Sequence, residues 1–341
     1  MTGTLTKLER LGIGNFPTPF EELSRFEKLF NGPRIFVKRD DLTGLAMGGN
    51  KVRQLDYVLV EAKRQGADTI ITTCGIQSNW SRQTVAVAVK LGMKAVLVLR
   101  TAQFDKAPEV YDGNILLDYI MGAEIHTVKM KINGDPREFL EARAEKLRKE
   151  GRKPHILDLG SATSPQAVGA YADCMSEIVD QAKKMGVSLD AVVVASSAGA
   201  TQAGLILGAK MLGLKTKIIG INVGAYDRDF MVKTILSSAE STSKLCGSDV
   251  RVTSEDVTLL EEFAGEDYGI PTNDSLEAIR LLAQTEALIL DPVYTSKAMA
   301  GLISMLRSRQ VQASNNICFL HTGGLPALFA YKQHFQPSID S

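Results

Sequence analysis

Ala191-Val192-Val193-Val194-Ala195 is followed directly by Ser196-Ser197-Ala198-Gly199-Ala200-Thr201. The first stretch is a short apolar run rich in β-branched residues, which is typical of a buried strand. The second consists of small and hydroxyl-bearing residues, and we expect a helix to begin within it and to run through Gly204. A strand that passes through such a loop into a helix is half of a βαβ unit, from which parallel α/β sheets are built.

The same alternation of short apolar runs and longer segments at helical period continues through the chain from Arg34 onward. In residues 51–63, for example, Val52, Leu55 and Leu59 fall on one helical face. The pattern predicts an α/β fold whose mostly parallel sheets are flanked by helices. Residues 105–111 and 132–137 show neither pattern and are predicted to be surface loops. The predicted strands are 35–38, 69–72, 95–99, 125–128, 156–159, 191–195, 217–223 and 317–321.

The length and charge of the chain limit the classes of function. A chain of 341 residues exceeds what one hydrophobic core usually fills, so two lobes are expected. Lys+Arg and Asp+Glu number 39 each, without a long run of one sign, which argues against nucleic acid or an anionic membrane as a partner. No stretch approaches the roughly 20 apolar residues of a membrane span. The four scattered cysteines favour structural thiols in a reducing cytosol, and we expect a cytoplasmic protein.

Several common catalytic motifs are missing from the sequence. Gly199–Gly204 has the glycine spacing of a P-loop, but Leu205 and Ile206 stand where lysine and a hydroxyl residue are needed. The glycines at 12 and 14 are followed by Pro17 and cannot open a dinucleotide-binding helix. There is no H-E-x-x-H, no G-x-S-x-G and no metal-ligand spacing among the four histidines, so no metal site is predicted.

A lysine stands at the first unusual transition into a helix, Gly48-Gly49-Asn50-Lys51. Two glycines allow backbone amides to approach a bulky group, and Asn50 can cap the helix. A lone lysine in a first turn is ordinarily a solvated surface residue. However, the positive end of the helix dipole disfavours its ammonium form and so favours the neutral amine that forms an imine.

Two further transitions carry polar residues suited to anions. In Gly75-Ile76-Gln77-Ser78-Asn79, Ser78 and Asn79 are either ordinary helix caps or a grip for a carboxylate. In Ser196–Thr201, the small residues form either a plain tight loop or a nest for a single phosphate. One lysine, one carboxylate grip and one monophosphate cradle on a parallel α/β scaffold fit pyridoxal phosphate better than any other common cofactor.

These motifs also carry a resemblance to a known family. The chain resembles the D-cysteine desulfhydrase / 1-aminocyclopropane-1-carboxylate (ACC) deaminase family of fold-type II (tryptophan synthase β-like) pyridoxal-phosphate enzymes, from about Gly14 to Tyr331. The resemblance rests on five motifs in this order: Lys38-Arg39-Asp40-Asp41, Gly48-Gly49-Asn50-Lys51-Val52-Arg53, Ile76-Gln77-Ser78-Asn79, Asp291-Pro292-Val293-Tyr294 and His321-Thr322-Gly323-Gly324.

The resemblance implies roles for particular residues and a domain layout. Lys51 would join the cofactor as an imine, and Asn50 would contact its ring hydroxyl. Ser78, near the reacting carbon, and Asn79 would hold the substrate carboxylate, and Tyr294 and Tyr268 would line the active site. The implied phosphate cradle consists of Ala198, Gly199, Ala200 and Thr201. Residues 53–163 would form a small domain inserted into a large one made of 1–52 and 164–341, and the protein would be a homodimer.

Departures from the family pattern bear on the substrate. Where ACC deaminases would have glutamate and leucine, this chain has Thr295 and Thr322, and we expect Thr322 to face the pyridine nitrogen. A hydroxyl cannot keep that nitrogen protonated as a carboxylate does, so the electron sink is weaker. Trp80 and Thr163 also depart from the desulfhydrase pattern in loops expected to touch substrate. Together with Gln77, these two residues complete the set that we expect to contact the substrate. Trp80 is equally suited to packing between the lobes.

The sequence therefore predicts a lyase that performs β-elimination on a small amino acid, giving pyruvate, ammonia and sulfide or sulfite. Lys51, Ser78 and Tyr294 are the predicted catalytic residues, with Lys51 as the base for the α-proton. ACC-type ring opening and deamination, and racemisation through the same carbanion, are the alternatives among enzymes. A non-catalytic module that binds an amino acid or the cofactor is the alternative of another class.

Overall fold

All eight predicted strands form, and they belong to two separate sheets. The structure is a computed structural model that describes residues 5–101, 108–131, 134–224 and 226–336. The strands are β1 Phe20–Glu22, β2 Arg34–Arg39, β3 Thr69–Gly75, β4 Lys94–Arg100, β5 Glu124–Val128, β6 Pro154–Leu157, β7 Ala191–Ser196, β8 Lys217–Asn222, β9 Thr258–Leu260 and β10 Asn316–His321.

Helices flank both sheets, as the alternating pattern predicts. Short 3-10 helices at Asp40–Leu42, Leu159–Thr163, Ser254–Asp256 and Lys332–His334 complete the described secondary structure. The α-helices are α1 Ser24–Glu27, α2 Asn50–Val58, α3 Val60–Arg64, α4 Asn79–Lys90, α5 Gly113–Ile120, α6 Arg137–Lys149, α7 Pro165–Lys184, α8 Ala200–Met211, α9 Arg228–Leu245, α10 Asn273–Glu286, α11 Thr295–Arg307 and α12 Leu325–Ala330.

The larger sheet has six strands in the order β1-β2-β10-β7-β8-β9. Every neighbouring pair in it is parallel except β1 with β2. The smaller sheet has four strands in the order β5-β4-β3-β6, all parallel. It is built from one continuous part of the chain, whereas the larger sheet uses segments before and after that part.

The differences from the sequence prediction are local. Strands β1 and β9 have three residues each and are too short to stand out as apolar runs. The strand predicted at 156–159 ends at Leu157, because the carboxylate of Asp158 accepts the backbone N–H of Ser161 and begins a 3-10 turn. The single helix predicted over 51–63 is interrupted at Leu59. Of the two predicted loops, residues 105–107 and 132–133 lie outside the described residues.

Both faces of the larger sheet are covered by apolar clusters, which explains why its strands read as continuous apolar runs. In β7, Val193 packs on the side of α10 and α11, while Val192 and Val194 pack on the side of α7 and α8. The smaller sheet has its own two clusters. One contains Trp80 of α4, and the other contains Leu140 of α6.

A buried ionic network attaches α2 to the larger sheet. Arg53, in the first turn of α2, donates to Asp40 at 2.7 Å and to Glu177 of α7 at 2.9 Å. Lys38 of β2 pairs with the same Glu177. Burial alone would raise the pKa of Asp40, but the guanidinium of Arg53 holds it below its usual value. The ions satisfy one another within the core, so loss of a single partner would leave an uncompensated buried charge.

We predict that Arg53→Met lowers the free energy of unfolding by about 3–5 kcal/mol, because Asp40 and Glu177 lose their shared cation. Urea denaturation measures the change. Arg64→Met is the matched control, since Arg64 pairs with Glu9 at the surface, where both side chains are more than half exposed. An exposed pair contributes about 0–1 kcal/mol. Equal losses in the two variants would contradict a structural role for the network.

Candidate active site

The carboxyl ends of β3, β7 and β10 converge on a cavity of about 170 Å³. This is the edge at which open parallel sheets place their ligands. Fourteen residues were predicted for the site, and the structure brings eleven of them to this cavity. They are Asn50, Lys51, Ser78, Asn79, Trp80, Ala198, Gly199, Ala200, Thr201, Tyr294 and Thr322.

The segment before Lys51 is a left-handed loop in which all six residues from Gly44 to Gly49 have positive φ. Such backbone is costly for residues other than glycine and is found where the surroundings enforce it. Here the guanidinium of Arg82, buried in α4, donates to the carbonyl oxygens of Ala46 and Gly48. A Cβ at Gly48 would lie 2.0 Å from the carbonyl oxygen of Asp41, so only glycine fits there.

Lys51 lies in the first turn of α2 with its amine inside the cavity. Its Nζ donates to Oε1 of Gln54 at 2.8 Å and lies 5.7 Å from the centre of the Trp80 ring. Burial lowers the pKa of Lys51 to about 8, because desolvation penalises the ammonium form. A much larger fraction of this amine is therefore neutral near pH 7 than for a solvated lysine, as a nucleophile or base requires.

The loop between β7 and α8, which was predicted to hold a phosphate, also lines the cavity. Gly199 is the N-cap of α8 and has a φ of 84°, and a Cβ there would lie 2.7 Å from Cγ1 of Ile235. The first amides of α8 have no partner within their own helix and are available to an anion. The hydroxyl of Ser196 is buried and has no hydrogen-bond partner among the described residues. These donors fit a single phosphate group.

Ser78 caps α4, and both Ser78 and Asn79 line the cavity, so the predicted grip for a carboxylate stays a prediction. The hydroxyl of Ser78 caps α4 by accepting the N–H of Trp80 at 3.1 Å, and it also lines the cavity. Oδ1 of Asn79 accepts Nδ2 of Asn114 at 3.1 Å, so the side-chain amide is held in one orientation. Both residues are therefore fixed in place before any ligand binds.

Trp80 packs in an apolar cluster and also lines the cavity. Its indole N–H donates to the hydroxyl of Thr72 at 3.0 Å, and its ring packs in the core of the smaller sheet. The same ring forms part of the cavity wall. The tryptophan is thus a rigid wall beside the amine of Lys51, and its packing in the core of the smaller sheet does not exclude contact with a ligand.

Two tyrosines stand between this cavity and a larger one of about 590 Å³. Tyr294 lines the first cavity, Tyr268 lines the second, and their hydroxyl groups are in hydrogen-bond contact. Burial raises the pKa of both phenols, so both are protonated at neutral pH. Ser78 lines both cavities, which places the two spaces side by side.

Three predicted site residues do not line the cavity that contains Lys51. Tyr268 lies in the second cavity, as does Gln77, whose side chain is bonded to Asp112 and Asn114. Thr163 is turned to the carbonyl of Gly160, and its neighbour Ala162 lines the first cavity instead. The loops that carry these residues border the two cavities, but the direction of each side chain depends on the hydrogen bonds that it makes.

Thr295, the other threonine that departs from the deaminase pattern, is hydrogen-bonded to a neighbouring carboxylate. Its hydroxyl donates to Asp291 at 2.7 Å, and it does not line the cavity. The same buried carboxylate accepts the backbone amides of Val293, Tyr294 and Thr295 and caps α11. Of the two threonines that depart from the deaminase pattern, only Thr322 reaches the cavity.

The sequence analysis missed two buried arginines, Arg82 and Arg100. The sequence pattern contains an indication of each of these arginines. Arg82 interrupts the otherwise apolar and small face of a helix, and Arg100 ends the apolar run of β4 at the edge where ligands bind. Burial lowers the pKa of Arg82 to about 10, and the guanidinium remains charged at neutral pH. Among the described residues, no cluster of His, Cys, Asp and Glu could hold a metal ion.

Comparison with known proteins assigns these features to one family. Residues 12–323 match the sequence profile described as "Pyridoxal-phosphate dependent enzyme". A D-cysteine desulfhydrase of Serratia proteamaculans is 38% identical over 330 residues, which cover 96% of this chain and 97% of that protein. A Schizosaccharomyces pombe protein named "Probable 1-aminocyclopropane-1-carboxylate deaminase" is 36% identical over 324 residues, covering 94% and 95%. A crystal structure described as an ACC deaminase homologue has a TM-score of 0.86 and 35% identity, with 96% of each chain covered.

We predict that pyridoxal phosphate added to the apoenzyme labels Lys51, and that borohydride reduction with peptide mapping locates the adduct there. Below pH 8 the labelling rate should rise about tenfold per pH unit and then level off, because the neutral amine forms as pH passes the lowered pKa. The labelling rate of a solvated lysine would keep rising up to about pH 10.4.

Lys297 is the internal control for this experiment. It is fully buried and its pKa is also lowered by burial, but it bonds the carbonyl of Ala264 and does not line the cavity. It should remain unlabelled. An adduct on Lys297, or on any lysine other than Lys51, would remove Lys51 from the proposed site.

Proposed function

This chain belongs to the family of pyridoxal-phosphate dependent enzymes, in the group of D-cysteine desulfhydrases and ACC deaminases, and on that premise we propose that it is a lyase for β-elimination. The substrate is a small amino acid with a leaving group on Cβ. The products are pyruvate, ammonium and the leaving group, which is sulfide or sulfite. Because the chain is an enzyme of this family, the alternative of a non-catalytic binding module is not retained.

The residues around the cavity fit the cofactor. Lys51 would hold it through the amine whose pKa burial lowers to about 8. The free amides at the start of α8 and the unpartnered hydroxyl of Ser196 would hold its phosphate. Asn50, whose side-chain amide lies 3.5 Å from the hydroxyl of Thr201, would contact the ring hydroxyl, and Thr322 the ring nitrogen.

The bound cofactor supplies an electron-accepting ring that stabilises negative charge on Cα. Ser78 and Asn79 hold the substrate carboxylate at the start of α4, where the helix dipole favours an anion. The neutral amine of Lys51 is the base that takes the α-proton. The phenol of Tyr294, kept protonated by burial, can donate a hydrogen bond to the departing group.

One observation supports β-elimination over ring opening. Among the described residues that line the cavity of Lys51, none is aspartate or glutamate. The buried carboxylate of Asp291 is occupied by the first turn of α11 and by Thr295. A ring nitrogen that faces Thr322 has no negative charge to keep it protonated, so the carbanion is less stabilised. A good leaving group tolerates this weakness, because its departure discharges the carbanion quickly.

ACC-type deamination remains the second candidate function. It is supported by the name of the Schizosaccharomyces pombe relative and by the solved homologue. The paired hydroxyls of Tyr268 and Tyr294 beside Ser78 could also serve ring opening.

The proposal extends to domains, assembly and location. Residues 53–163 form a small domain inserted between 1–52 and 164–341, which is supported by the four-stranded sheet that lies entirely between Thr69 and Leu157. A homodimer in the cytoplasm is proposed from the family resemblance and from the four cysteines, all of which are free thiols. None of the helices in the described ranges combines the length and apolar character that a membrane crossing requires.

We predict that kcat/KM for ACC is at least about tenfold below that for the best of D-cysteine, L-cysteate and both hands of 3-chloroalanine. Each loss of carbanion stabilisation that is equivalent to one pKa unit costs about 1.4 kcal/mol, or a factor of about ten in rate. Pyruvate release measures elimination from the four β-substituted substrates. Release of 2-oxobutanoate and ammonia measures turnover of ACC.

Thr322→Ser and Thr322→Val form a matched pair for the same experiment. The serine variant keeps the hydroxyl and should retain most of the β-elimination activity, whereas the valine variant has the same shape but no hydroxyl and should lose it. If ACC is the best substrate of the wild-type enzyme, β-elimination is not the main activity.

A further inference from the structure

The amine of Lys51 has a hydrogen-bond partner on its own helix, Gln54, which the sequence analysis did not select. The two residues are three apart in α2, a spacing at which side chains meet on one face of a helix. Nζ of Lys51 lies 2.8 Å from Oε1 of Gln54, and Gln54 is fully buried. Gln54 is absent from the described lining of both cavities, so its amide meets the amine from the interior of the protein.

The side-chain amide of Gln54 is only half satisfied. Its oxygen accepts from Lys51, whereas its Nε2 is buried and has no hydrogen-bond partner among the described residues. A buried polar group without a partner is unfavourable and rare in native structures. An apolar side chain of the same shape would serve packing better. The bond to the amine of Lys51 is therefore the feature of Gln54 that requires an amide.

An uncharged acceptor suits an amine that must both take up and release a proton. The ammonium form of lysine has three donors, and in the cavity it has lost the water that would otherwise satisfy them. The amide oxygen of Gln54 stabilises this form without adding a negative charge, which would hold the proton more firmly. In the neutral form the amine can still donate one N–H to the same oxygen, and its lone pair is free to take a proton.

The acceptor acts on Lys51 without competition from other charges. Tyr294, which burial keeps protonated, is the other titratable side chain in the described lining of the cavity, and desolvation is the cause of the lowered pKa of Lys51. Helices α3, α4 and α7 pack against α2, and the charged side chains of these four helices are either exposed or bonded to other groups. The bonded ones are Arg53 and Asp56 of α2, Arg82 of α4, and Asp173 and Glu177 of α7.

We propose that Gln54 is a positioning residue that holds the amine of Lys51 whenever this amine is not joined to the cofactor. The inference rests on the proposed role of Lys51 as the base for the α-proton. Once the lysine is free, the bond to Gln54 keeps Nζ beside the ring of Trp80 in the cavity. The proton then moves from Cα to Nζ, the electron pair of the C–H bond stays on Cα, and the amide oxygen accepts a hydrogen bond from the new ammonium ion.

Two substitutions of nearly the same size test this bond in the apoenzyme. Gln54→Met removes the acceptor, so the pKa of Lys51 should fall by about one unit, because the ammonium form stays desolvated and loses its partner. Gln54→Glu places a carboxylate at the same position, so the pKa of Lys51 should rise by about one unit or more. Labelling with acetic anhydride across a range of pH, followed by peptide mapping, measures this pKa, because only the neutral amine reacts.

Gln181→Met is the matched control. Oε1 of Gln181 accepts from Nζ of the buried Lys38 at 2.6 Å, so this variant also removes a bond between a glutamine and a lysine, but outside the cavity. It should leave the pKa of Lys51 unchanged. A merely structural role of Gln54 would give its two variants shifts of the same sign or none, whereas the proposal requires opposite shifts.

The same variants should separate kcat from KM in the holoenzyme. Both should lower kcat for β-elimination by about 10- to 100-fold, Gln54→Met because the base is no longer held and Gln54→Glu because the proton is held too firmly. KM should change little, since Gln54 is absent from the described lining of both cavities.

An unchanged pKa of Lys51, or shifts of the same sign in the two variants, overturns the inference, and so does a raised KM with unchanged kcat. Each variant has its own expected direction, so either suffices if the other does not fold. The proposed function fails separately. If the opposite shifts are found but no β-substituted amino acid yields pyruvate, β-elimination is wrong and the role of Gln54 in holding the amine stands. If the wild-type enzyme yields pyruvate but neither variant shifts the pKa, only the role of Gln54 is wrong.

Discussion

The position of Lys51 depends on the buried guanidinium of Arg53, two residues further along α2. Arg53 pairs with Asp40, which follows β2, and with Glu177 of α7, so the first turn of the helix is attached both to the larger sheet and to its neighbouring helix. A buried ion of this kind has few alternative positions, because any displacement would leave charges unpaired in the core. Lys51 inherits this fixed position, and its own amine is then desolvated in the cavity.

A second buried arginine connects the same segment to the smaller sheet. Arg82 of α4 holds carbonyl groups of the left-handed loop that precedes Lys51, and the same helix begins at Ser78. The proposed lysine and the proposed carboxylate grip are therefore linked through one side chain. The positive φ values from Gly44 to Gly49 are maintained by this contact, which explains how strained backbone persists beside the cavity.

The two neighbouring cavities differ in the residues that line them. The first offers phosphate donors, an amine of lowered pKa and no carboxylate among its described lining residues. The second is larger, and Tyr268 and Arg100 are among its lining residues. Tyr268 and Tyr294 meet where the two spaces adjoin, so their hydroxyl contact borders both cavities.

The sequence alone was enough for the alternation of strands and helices, the three loops of the cavity and the cofactor, because apolar periodicity and glycine-rich turns are local properties of the chain. It could not specify which side chains of those loops turn inward. Gln77 and Thr295 bond to neighbouring groups, Thr163 turns to a backbone carbonyl, and Arg82 and Arg100 become buried only when the strands assemble. For Thr163 and Thr295 the partners are only three and four residues away, and apolar periodicity does not specify which local group a hydroxyl bonds. The partners of Gln77 lie 35 and 37 residues away, and the two arginines become buried through contacts between separate elements, so only the tertiary structure decides these positions.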